Sequence, residues 1–438
     1  MLVAIGDSAY IYYDNLGRQS YVYVNTDSLD GPFTVMSPSG WYAQINGADN
    51  ESKIMKNGME ISSDELSKND IIYYSASVDT AFAYNSRVIG ILESASPSMD
   101  SPASVKVSGT SYSLEVADAL DRGINLGDTV VLCLGRGGKA AHIYSASDET
   151  LAGYLISSGV KSFVNQNGES YTSPYAGLVL TDGTQIDCAT DSDYGNYINS
   201  VMSVSFSGPK AKLSKLTPSG NVYGKADSDK LTIGSFKVAS DVKILDVGYL
   251  TLDEPTVYTS VYLQRLDGIS LSASDVVYSK IRNGYVTELI LNNVTGDAFS
   301  YGVVTSARTT LNDKTASGSY TCDIDGNSYS YSGGAYPSIK SGSVVKVGLS
   351  GGRIQSFAKL DSRTVSIKSA GYTSITLANG DVLPLADDVS VYRLMGTYDY
   401  TQLPLSEIVR NPKGYSQYYI HTDKSVTKGG RVRIIIVK

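Results

Sequence analysis

The sequence repeats itself, and this repeat limits the folds that the chain can adopt. Four landmark residues recur in the same order, so that Asp70, Gly109, Gly127 and Gly183 are matched by Asp275, Gly326, Gly342 and Gly380. The offsets run from 197 residues, between Gly183 and Gly380, to 217 residues, between Gly109 and Gly326. Loop insertions account for differences of this size, and the repeat indicates two duplicated halves of about 215 residues.

The composition favours β-structure. The 438 residues include 34 Tyr, 7 Phe, 1 Trp and 42 Gly. Tyr, Val, Ile and Thr suit a pleated surface that is buried on one face, because the Tyr ring packs while its hydroxyl group reaches water. Asp-Gly at Gly183 and Asn-Gly at Gly380 predict hairpins. The best helix candidate covers residues 113–122, where a short helix would cross the mouth of a barrel.

We therefore predict an all-β chain, built as a tandem array of small β-barrel or sandwich modules in two duplicated halves. Ser-, Asp- and Gly-rich stretches suggest boundaries that divide the chain into residues 1–86, 87–150, 151–218, 219–298, 299–363 and 364–438. Modules of this size remove exposed sheet edges by closing or by packing face to face. Each is small enough to depend on its neighbours for stability.

Charge and hydropathy exclude several classes of partner. The chain has 36 basic and 44 acidic residues, a net charge of −8, and no basic stripe, so we expect no nucleic-acid partner. No run approaches 18 apolar residues, so we expect no membrane span. The three cysteines, Cys133, Cys188 and Cys322, are too few and too scattered for a disulfide framework, and we expect them to be buried.

The motifs that could carry catalysis are weak, and we predict no catalytic residue. Residues 348–352 match the G-x-S-x-G pattern, but strands flank them on both sides, whereas a nucleophile elbow needs a strand followed by a helix. Residues 135–139 lack the spacing of a phosphate loop. His142 and His421 are the only histidines, they do not occupy equivalent repeat positions, and neither lies near a suggestive nucleophile.

Two acidic clusters could bind calcium weakly. Asp323 and Asp325 begin a segment that resembles the start of a calcium loop, although Gly334 stands where the loop needs a glutamate. Asp187 and Asp191 belong to a second cluster. The alternative is that all four are solvated turn carboxylates, and no other cofactor is expected.

Aromatic residues near the N-terminus could form a ligand platform. The candidates are Trp41, Tyr42, Tyr21 and Tyr23, of which the last two share one face of a predicted strand. Exposed aromatic rings beside polar groups can stack on sugars. The competing expectation is that Trp41 lies in the core of its module, because a single large aromatic residue in a small module is more often buried.

Several segments resemble a known class of surface proteins. Residues 69–75, 87–98, 126–135 and 429–438 are similar to the region that accompanies S-layer homology domains in cell-surface proteins of Gram-positive anaerobic bacteria. The resemblance covers most of the chain and is densest from 69 to 147. It implies an exported, extracellular protein whose wall anchor lies outside these residues, since no S-layer homology repeat occurs among them. Implied partners are cell-wall glycan or other surface proteins.

Three functions follow as hypotheses. The first is a non-catalytic structural or adhesive segment of the cell surface. The second is a carbohydrate-binding or cell-wall-glycan-binding region, which would show an exposed aromatic pair in a groove. The third is a glycosidase, which would need two carboxylates about 5–10 Å apart in one cleft.

Overall fold

The structure of the protein is a computed structural model, which describes residues 8–13, 19–25, 29–56, 59–165, 167, 169–217, 221–250, 256–312 and 315–438. Strands make up 57% and helices 8% of it. The prediction of an all-β chain built from repeated small modules is confirmed. One α-helix, α1 (Leu405–Arg410), occurs among these residues. The 3₁₀ helices are Pro38–Gln44, Ser63–Glu65, Ala146–Asp148, Gly195–Tyr197, Leu263–Leu266, Ala273–Asp275 and Val426–Lys428.

The chain divides into two compact units. Unit 1 comprises residues 1–180, 184–217 and 239–241, and unit 2 comprises residues 181–183, 218–238 and 242–438. The six predicted segments and their boundaries stay a prediction.

Unit 1 contains a hairpin and three modules. The hairpin joins β1 (Ser8–Tyr13) and β2 (Gln19–Asn25). Module 1 has strands β3 (Asp30–Thr34), β4 (Lys53–Lys56), β5 (Met59–Ile61), β6 (Ile71–Ser75) and β7 (Thr80–Tyr84). Module 2 has strands β8 (Arg87–Ser96), β9 (Ser104–Val107), β10 (Thr110–Ser113), β11 (Thr129–Leu134) and β12 (Ala140–Ser145). Module 3 has strands β13 (Thr150–Val164), β14 (Ser170–Leu180), β15 (Gln185–Thr190), β16 (Ser200–Ser207) and β17 (Lys210–Lys215).

Unit 2 contains three more modules. Module 4 has strands β18 (Gly224–Asp227), β19 (Thr232–Ile233), β20 (Phe236–Gly248), β21 (Val257–Val261), β22 (Ser270–Leu271), β23 (Val276–Arg282) and β24 (Tyr285–Asn292), of which 239–241 belong to unit 1. Module 5 has strands β25 (Ser300–Asn312), β26 (Thr315–Ile324), β27 (Asn327–Gly334), β28 (Val344–Ser350) and β29 (Arg353–Lys359). Module 6 has strands β30 (Ser362–Val365), β31 (Ile367–Ala370), β32 (Ser374–Leu377), β33 (Val382–Leu394), β34 (Tyr400–Leu403), β35 (Tyr418–Thr422) and β36 (Val432–Val437).

These strand spans lie close to the predicted segment boundaries. β13 begins one residue before the boundary at 151, and β30 begins two residues before the boundary at 364. Whether each module folds by itself stays a prediction.

One strand order recurs through the modules. Module 3 is a closed barrel in which the first strand pairs with the second and fourth, and the third runs parallel to the fifth. This cyclic order, 1-2-3-5-4, is that of the five-stranded OB-fold barrel. Modules 4 and 6 repeat it with one strand interrupted: the fourth is split into β22 and β23, and the first into β30 and β31. The repeat unit is therefore the single module, which is shorter than the half-chain found in the sequence.

The remaining modules are variants of the same order. Modules 2 and 5 both show the strand order 3-2-1-4-5, and in module 2 parallel bridges from Leu114 and Leu120 to the fifth strand close the ring. The expected helix at 113–122 is wrong, because this segment supplies those two bridges instead. In module 1 the segment between β3 and β4 forms the 3₁₀ helix Pro38–Gln44 where a second strand would lie.

In four modules a left-handed residue before the fourth strand links that strand to the first. In module 2 the Gly127 amide donates to the Leu92 carbonyl at 2.8 Å, and the Leu92 amide donates to the Asp128 carbonyl at 2.9 Å. The same reciprocal pair links Val35 to 69–70, Ala226 to 268–269 and Val304 to 342–343. The left-handed residue is Gly127, Asn69, Gly268 or Gly342, with φ between 69° and 87°. Gly and Asn tolerate this conformation, which explains why these landmarks stand out in the sequence.

Three of the four pairs of sequence landmarks occupy matching places in the fold. Gly109 and Gly326 both end the turn between the second and third strands, with φ of 84° and 76°. Gly183 and Gly380 lie in the equivalent turn of modules 3 and 6, with φ of 87° and 92°. Asp70 and Asp275 each precede the strand that pairs with the fifth strand. In its hydrogen bond to the first strand, however, the residue equivalent to Asp70 is Ile269. The short β22 accounts for this shift.

Cores continue across module boundaries inside each unit. In unit 1 one cluster joins Tyr73 of module 1, Val131 of module 2 and Leu178 of module 3. In unit 2 another joins Val257 of module 4, Tyr301 of module 5 and Ile436 of module 6. Cys133, Cys188 and Cys322 are buried and unpaired. Small modules therefore obtain part of their apolar burial from their neighbours.

Candidate functional site

The residues of the predicted aromatic platform differ in how far they are buried. Trp41 is 4% exposed and packs in the core of module 1, where it makes an edge-to-face contact with Tyr42 at 5.8 Å between ring centroids. Tyr42 is half-buried. Tyr21 and Tyr23 lie on β2, paired with Tyr12 and Tyr10, and their side chains are outside the described part of the structure. A buried Trp41 leaves no ring face for a sugar, so the platform as first predicted needs correction.

The four aspartates of the calcium hypothesis bind protein groups. Asp323 accepts the Tyr392 hydroxyl at 2.7 Å, and Asp325 accepts the Gln402 amide at 2.7 Å. In module 3 the Asp187 and Asp191 carboxylates form ion pairs with Lys161 and Lys210, respectively. No cluster of three His, Cys, Asp or Glu side chains occurs within the described residues. The two aspartate pairs are thus not assembled into a metal site there.

The two histidines have different environments. His142 lies 3.2 Å from an Asp121 oxygen and stacks on Tyr144 at 5.4 Å. His421 is 5% exposed, and neither of its ring nitrogens has a hydrogen-bond partner. Burial lowers the pKa of His421 to about 4, against a smaller opposing effect of the Asp361 backbone. His421 is therefore a neutral core residue, and no nucleophile bonds to it.

A buried cation dominates the junction of modules 4, 5 and 6. Arg433 is 1% exposed, and its Nη2 atom donates to the Thr295 carbonyl at 2.6 Å. The same nitrogen pairs with Asp297 at 2.7 Å and with Asp423 at 3.1 Å. The guanidinium also covers the Tyr301 ring, 4.7 Å from its centroid. An arginine fork suits such a site because its fixed donors bind several acceptors at once.

Neighbouring groups complete this network, which we call the Arg433 cluster. Arg265 of module 4 forms a bidentate pair with Asp297, at 2.6 and 3.1 Å. A Cβ atom at Gly296 would lie 2.0 Å from an Asp423 oxygen, so only glycine fits there. Burial raises the pKa of Asp246, whose carboxylate accepts the amides of Val294 and Thr295 at 2.9 and 2.7 Å.

Two lysines of this region are electrostatically strained. Burial and, to a smaller extent, the nearby positive charge of Lys424 lower the pKa of Lys346 to about 8. The Lys346 ammonium lies 3.9 Å from the Phe299 ring centroid. Burial also lowers the pKa of Lys424, which donates to the Asn293 and Val294 carbonyls. Lysines with lowered pKa values also occur at catalytic sites, but here burial, with repulsion from neighbouring cations as a smaller cause, accounts for the lowered pKa values.

Unit 1 has its own buried cation, in what we call the Lys56 cluster. Lys56 is 1% exposed and pairs with Asp70 at 2.9 Å and Asp241 at 2.7 Å. Arg87 lies 3.7 Å from the second Asp70 oxygen. Although burial alone would lower it, the pKa of Lys56 is raised by the two carboxylates together. Arg87 also lies 3.6 Å from a Glu149 oxygen, so two cations face three carboxylates at this point.

An open cavity lies at the mouth of the module 6 barrel. Its volume is about 380 Å³, and its lining residues are Arg393, Leu394, Met395, Gly396 and Lys438. The volume lies at the lower end of the range of small-ligand sites, and the lining combines cations with apolar groups. Such a cavity suits a carboxylate that is attached to an apolar or polar body.

The sequence analysis missed both ionic clusters and this cavity. The residues lie far apart in the chain, as Lys56 and Asp241 or Arg265 and Arg433 do, so no spacing rule joins them. One signal was present: Arg433 interrupts the apolar run at 432–437, which is unusual for a core strand. In β36 every residue is buried, including Arg433.

Comparison with known proteins found no matching family model, no similar curated protein and no similar solved structure. Within the described ranges, no helix has both the length and the apolar character needed to cross a membrane.

Proposed function

We propose that this chain is a non-catalytic structural or adhesive segment of an exported bacterial surface protein. The proposal rests on the Arg433 cluster, in which groups from three consecutive modules surround one buried guanidinium. Arg265 comes from module 4, Tyr301 from module 5, and Asp423 with Arg433 from module 6. Ionisable groups of this kind are used here to fix one module against the next.

The buried carboxylates support the same proposal. Asp423, Asp297 and Asp246 are all engaged by cations or backbone amides within the cluster. A glycosidase instead holds two carboxylates towards a substrate cleft. The resemblance to regions beside S-layer homology domains supports an extracellular location, with anchor domains outside these residues.

Surface location is tested by treating intact cells of the producing bacterium with trypsin and analysing the released peptides. We expect peptides from residues 87–160 and 300–360 in the released fraction, with a cytoplasmic marker protein retained in the cells. Recovery of these peptides only after lysis would refute an exported location. Assays of the purified protein on aryl glycosides and cell-wall polymer test the second part, since turnover that is lost on substituting one carboxylate would establish an enzyme.

Carbohydrate binding is the second candidate, and Tyr372 favours it. This residue is 67% exposed and lies in the loop between the first and second strands of module 6. OB-fold barrels bind oligosaccharides through this loop and the neighbouring strand face. A glycan array that includes cell-wall fragments identifies ligands, and Tyr372→Ala should weaken any binding. Tyr262→Ala is the matched control, because Tyr262 is 84% exposed and lies outside such a loop.

A further inference from the structure

Three modules carry an ionisable residue at the same place, near the end of the third strand. These residues are Lys56 in module 1, Asp246 in module 4 and Arg393 in module 6. Each pairs in parallel with the fifth strand, opposite Ala83, Leu291 and Val437, respectively. Each also follows a buried core residue by two positions: Ile54, Ile244 and Val391. We call this place the mouth position.

Two of the three mouth positions are covered. Lys56 is 1% exposed because the Asp70 and Asp241 carboxylates close over its ammonium. Asp246 is 0% exposed because the amides of Val294 and Thr295 close over its carboxylate. The carboxylates stabilise the buried ammonium by their charge, and the amides stabilise the buried carboxylate by their dipoles.

The third mouth position is open. Arg393 is exposed, lines the 380 Å³ cavity, and makes no ion pair among the described residues. Lys438 lines the same cavity and is exposed as well. Both positive groups lie beside Leu394 and Met395, so the mouth of module 6 lacks the anionic cover that Lys56 has.

Asp241, which covers Lys56, has an equivalent residue in module 6. Asp241 lies in a bulge of β20, where the pairing jumps from Val238 opposite Val286 to Lys243 opposite Glu288. β33 has the same bulge, where the pairing jumps from Leu385 opposite Val432 to Ser390 opposite Ile434. Asp388 takes the place of Asp241.

The acids of the second bulge are accessible. The Asp387 side chain is 97% exposed, and that of Asp388 is 61% exposed. Asp387 pairs with Arg431 at 3.0 Å and Asp388 lies 3.6 Å from Arg433, but ion pairs on such exposed carboxylates contribute little to stability. Module 6 therefore presents both a cationic mouth without an anionic cover and an acidic bulge whose carboxylates remain accessible from solvent.

We propose that the mouth of module 6 binds the acidic bulge, Asp387 and Asp388, of a second copy of this chain. Arg393 and Lys438 of one copy would meet these carboxylates of the other, as Lys56 meets Asp241 in unit 1. Because one module carries both partners, two copies engage reciprocally and close as a twofold dimer. This interaction goes beyond the proposed surface function and does not depend on where the protein is located.

Sedimentation equilibrium of the purified chain over a micromolar to millimolar range tests the proposal. We expect a monomer–dimer equilibrium that weakens as salt is raised, since the contact is ionic. Arg393→Asp and Asp387→Arg should each weaken dimerisation at least tenfold, because each places like charges together. The double variant Arg393→Asp/Asp387→Arg should restore dimerisation, since the charges are exchanged between the partners. Both substituted positions, Arg393 and Asp387, are exposed, and circular dichroism verifies that the variants fold.

Arg410→Asp, at the exposed end of α1, is the matched control and should dimerise like the wild type. A chain that stays monomeric at millimolar concentration refutes the proposal. So does a double variant that dimerises no better than its parents. Binding of an acidic polysaccharide such as polygalacturonate to the wild type but not to Arg393→Asp, without dimerisation, would assign the mouth to a glycan and overturn the proposal.

Discussion

The Lys56 cluster of unit 1 and the Arg433 cluster of unit 2 bury ionic groups in opposite ways. In unit 1 a lysine fills the mouth position and receives two carboxylates, whereas in unit 2 a carboxylate, Asp246, fills the equivalent position and receives backbone amides. The same barrel position thus carries a cation in one unit and a carboxylate in the other. The neighbouring segment supplies the complement, so the sign is a property of the junction and not of the barrel.

The two clusters also differ in charge balance. Lys56 and Arg87 face Asp70 and Asp241, and the pKa of Lys56 is raised. In unit 2 Arg433, Arg265, Lys346 and Lys424 crowd together, and the pKa values of both lysines are lowered while that of Arg433 is raised by its acidic neighbours and Tyr301. Unit 2 therefore contains charge strain that unit 1 lacks, and four experiments can sharpen or break this contrast.

The largest effect is expected from Arg433→Met. Removing the guanidinium leaves Asp423, whose side chain is 0% exposed, without its cation, and breaking a buried pair costs about 3–5 kcal/mol in free energy of unfolding. Urea unfolding with hydrogen-exchange mass spectrometry measures the loss, which should appear in peptides of modules 4 to 6. Arg431→Met is the control, because its partner Asp387 is exposed, and it should change stability by less than about 1 kcal/mol.

Lys56→Met should have a somewhat smaller effect, about 3 kcal/mol, because Arg87 still faces Asp70 and Asp241 is partly exposed. Hydrogen exchange should increase in modules 1 and 2. The double variant Lys56→Met/Asp70→Asn should recover part of the loss, since the uncompensated charge is removed. A double variant whose loss equals the sum of the two single losses would show that the pair is not coupled.

Acid should weaken unit 2 through His421. Its pKa is about 4 when folded, below the unfolded value of 6.5, so the unfolded state binds more protons between these values. The stability that His421 contributes is complete above pH 6.5 and is lost as the pH falls towards 4. The loss between pH 7 and 5 is about 2 kcal/mol by this linkage. In His421→Leu this part of the pH dependence should disappear, and an unchanged slope would contradict the assignment.

The smallest effect concerns lysine reactivity. With a pKa of about 8, Lys346 is largely neutral at pH 9, whereas Lys56 stays protonated and buried. Brief treatment with acetic anhydride at pH 9, followed by peptide mass spectrometry, should modify Lys346 well before Lys56. Equal rates of modification of Lys346 and Lys56 would contradict the electrostatic difference between the two clusters.

The turn residues could be predicted from the sequence, because local chemistry determines which residues form a turn. Gly109, Gly183, Gly326 and Gly380 marked hairpin turns because positive φ values favour glycine. The helix expected at 113–122 failed because tertiary pairing of Leu114 and Leu120 with β12 outweighed local propensity. The 1-2-3-5-4 order was not predicted, since parallel pairing of the third and fifth strands joins residues far apart in the chain.

The candidate site was predicted less well than the fold. Trp41 was correctly considered as a possible core residue, but the aspartates at 187, 191, 323 and 325 were assigned by proximity in sequence, and each proved to serve a different protein partner. Arg393 was not predicted as a site residue, because its exposure stands out only in comparison with Lys56 and Asp246, which are buried at the equivalent position.

By itself the sequence determined that the chain is β-structured, duplicated and turn-rich, because alternation, glycine placement and repeats act over a few residues each. Only the tertiary structure decided which charges are buried, which are covered and which remain open. Burial of an ion such as Arg433 depends on groups contributed by several modules at once, and the free energy of a buried charge is set by those partners rather than by its neighbours in the chain.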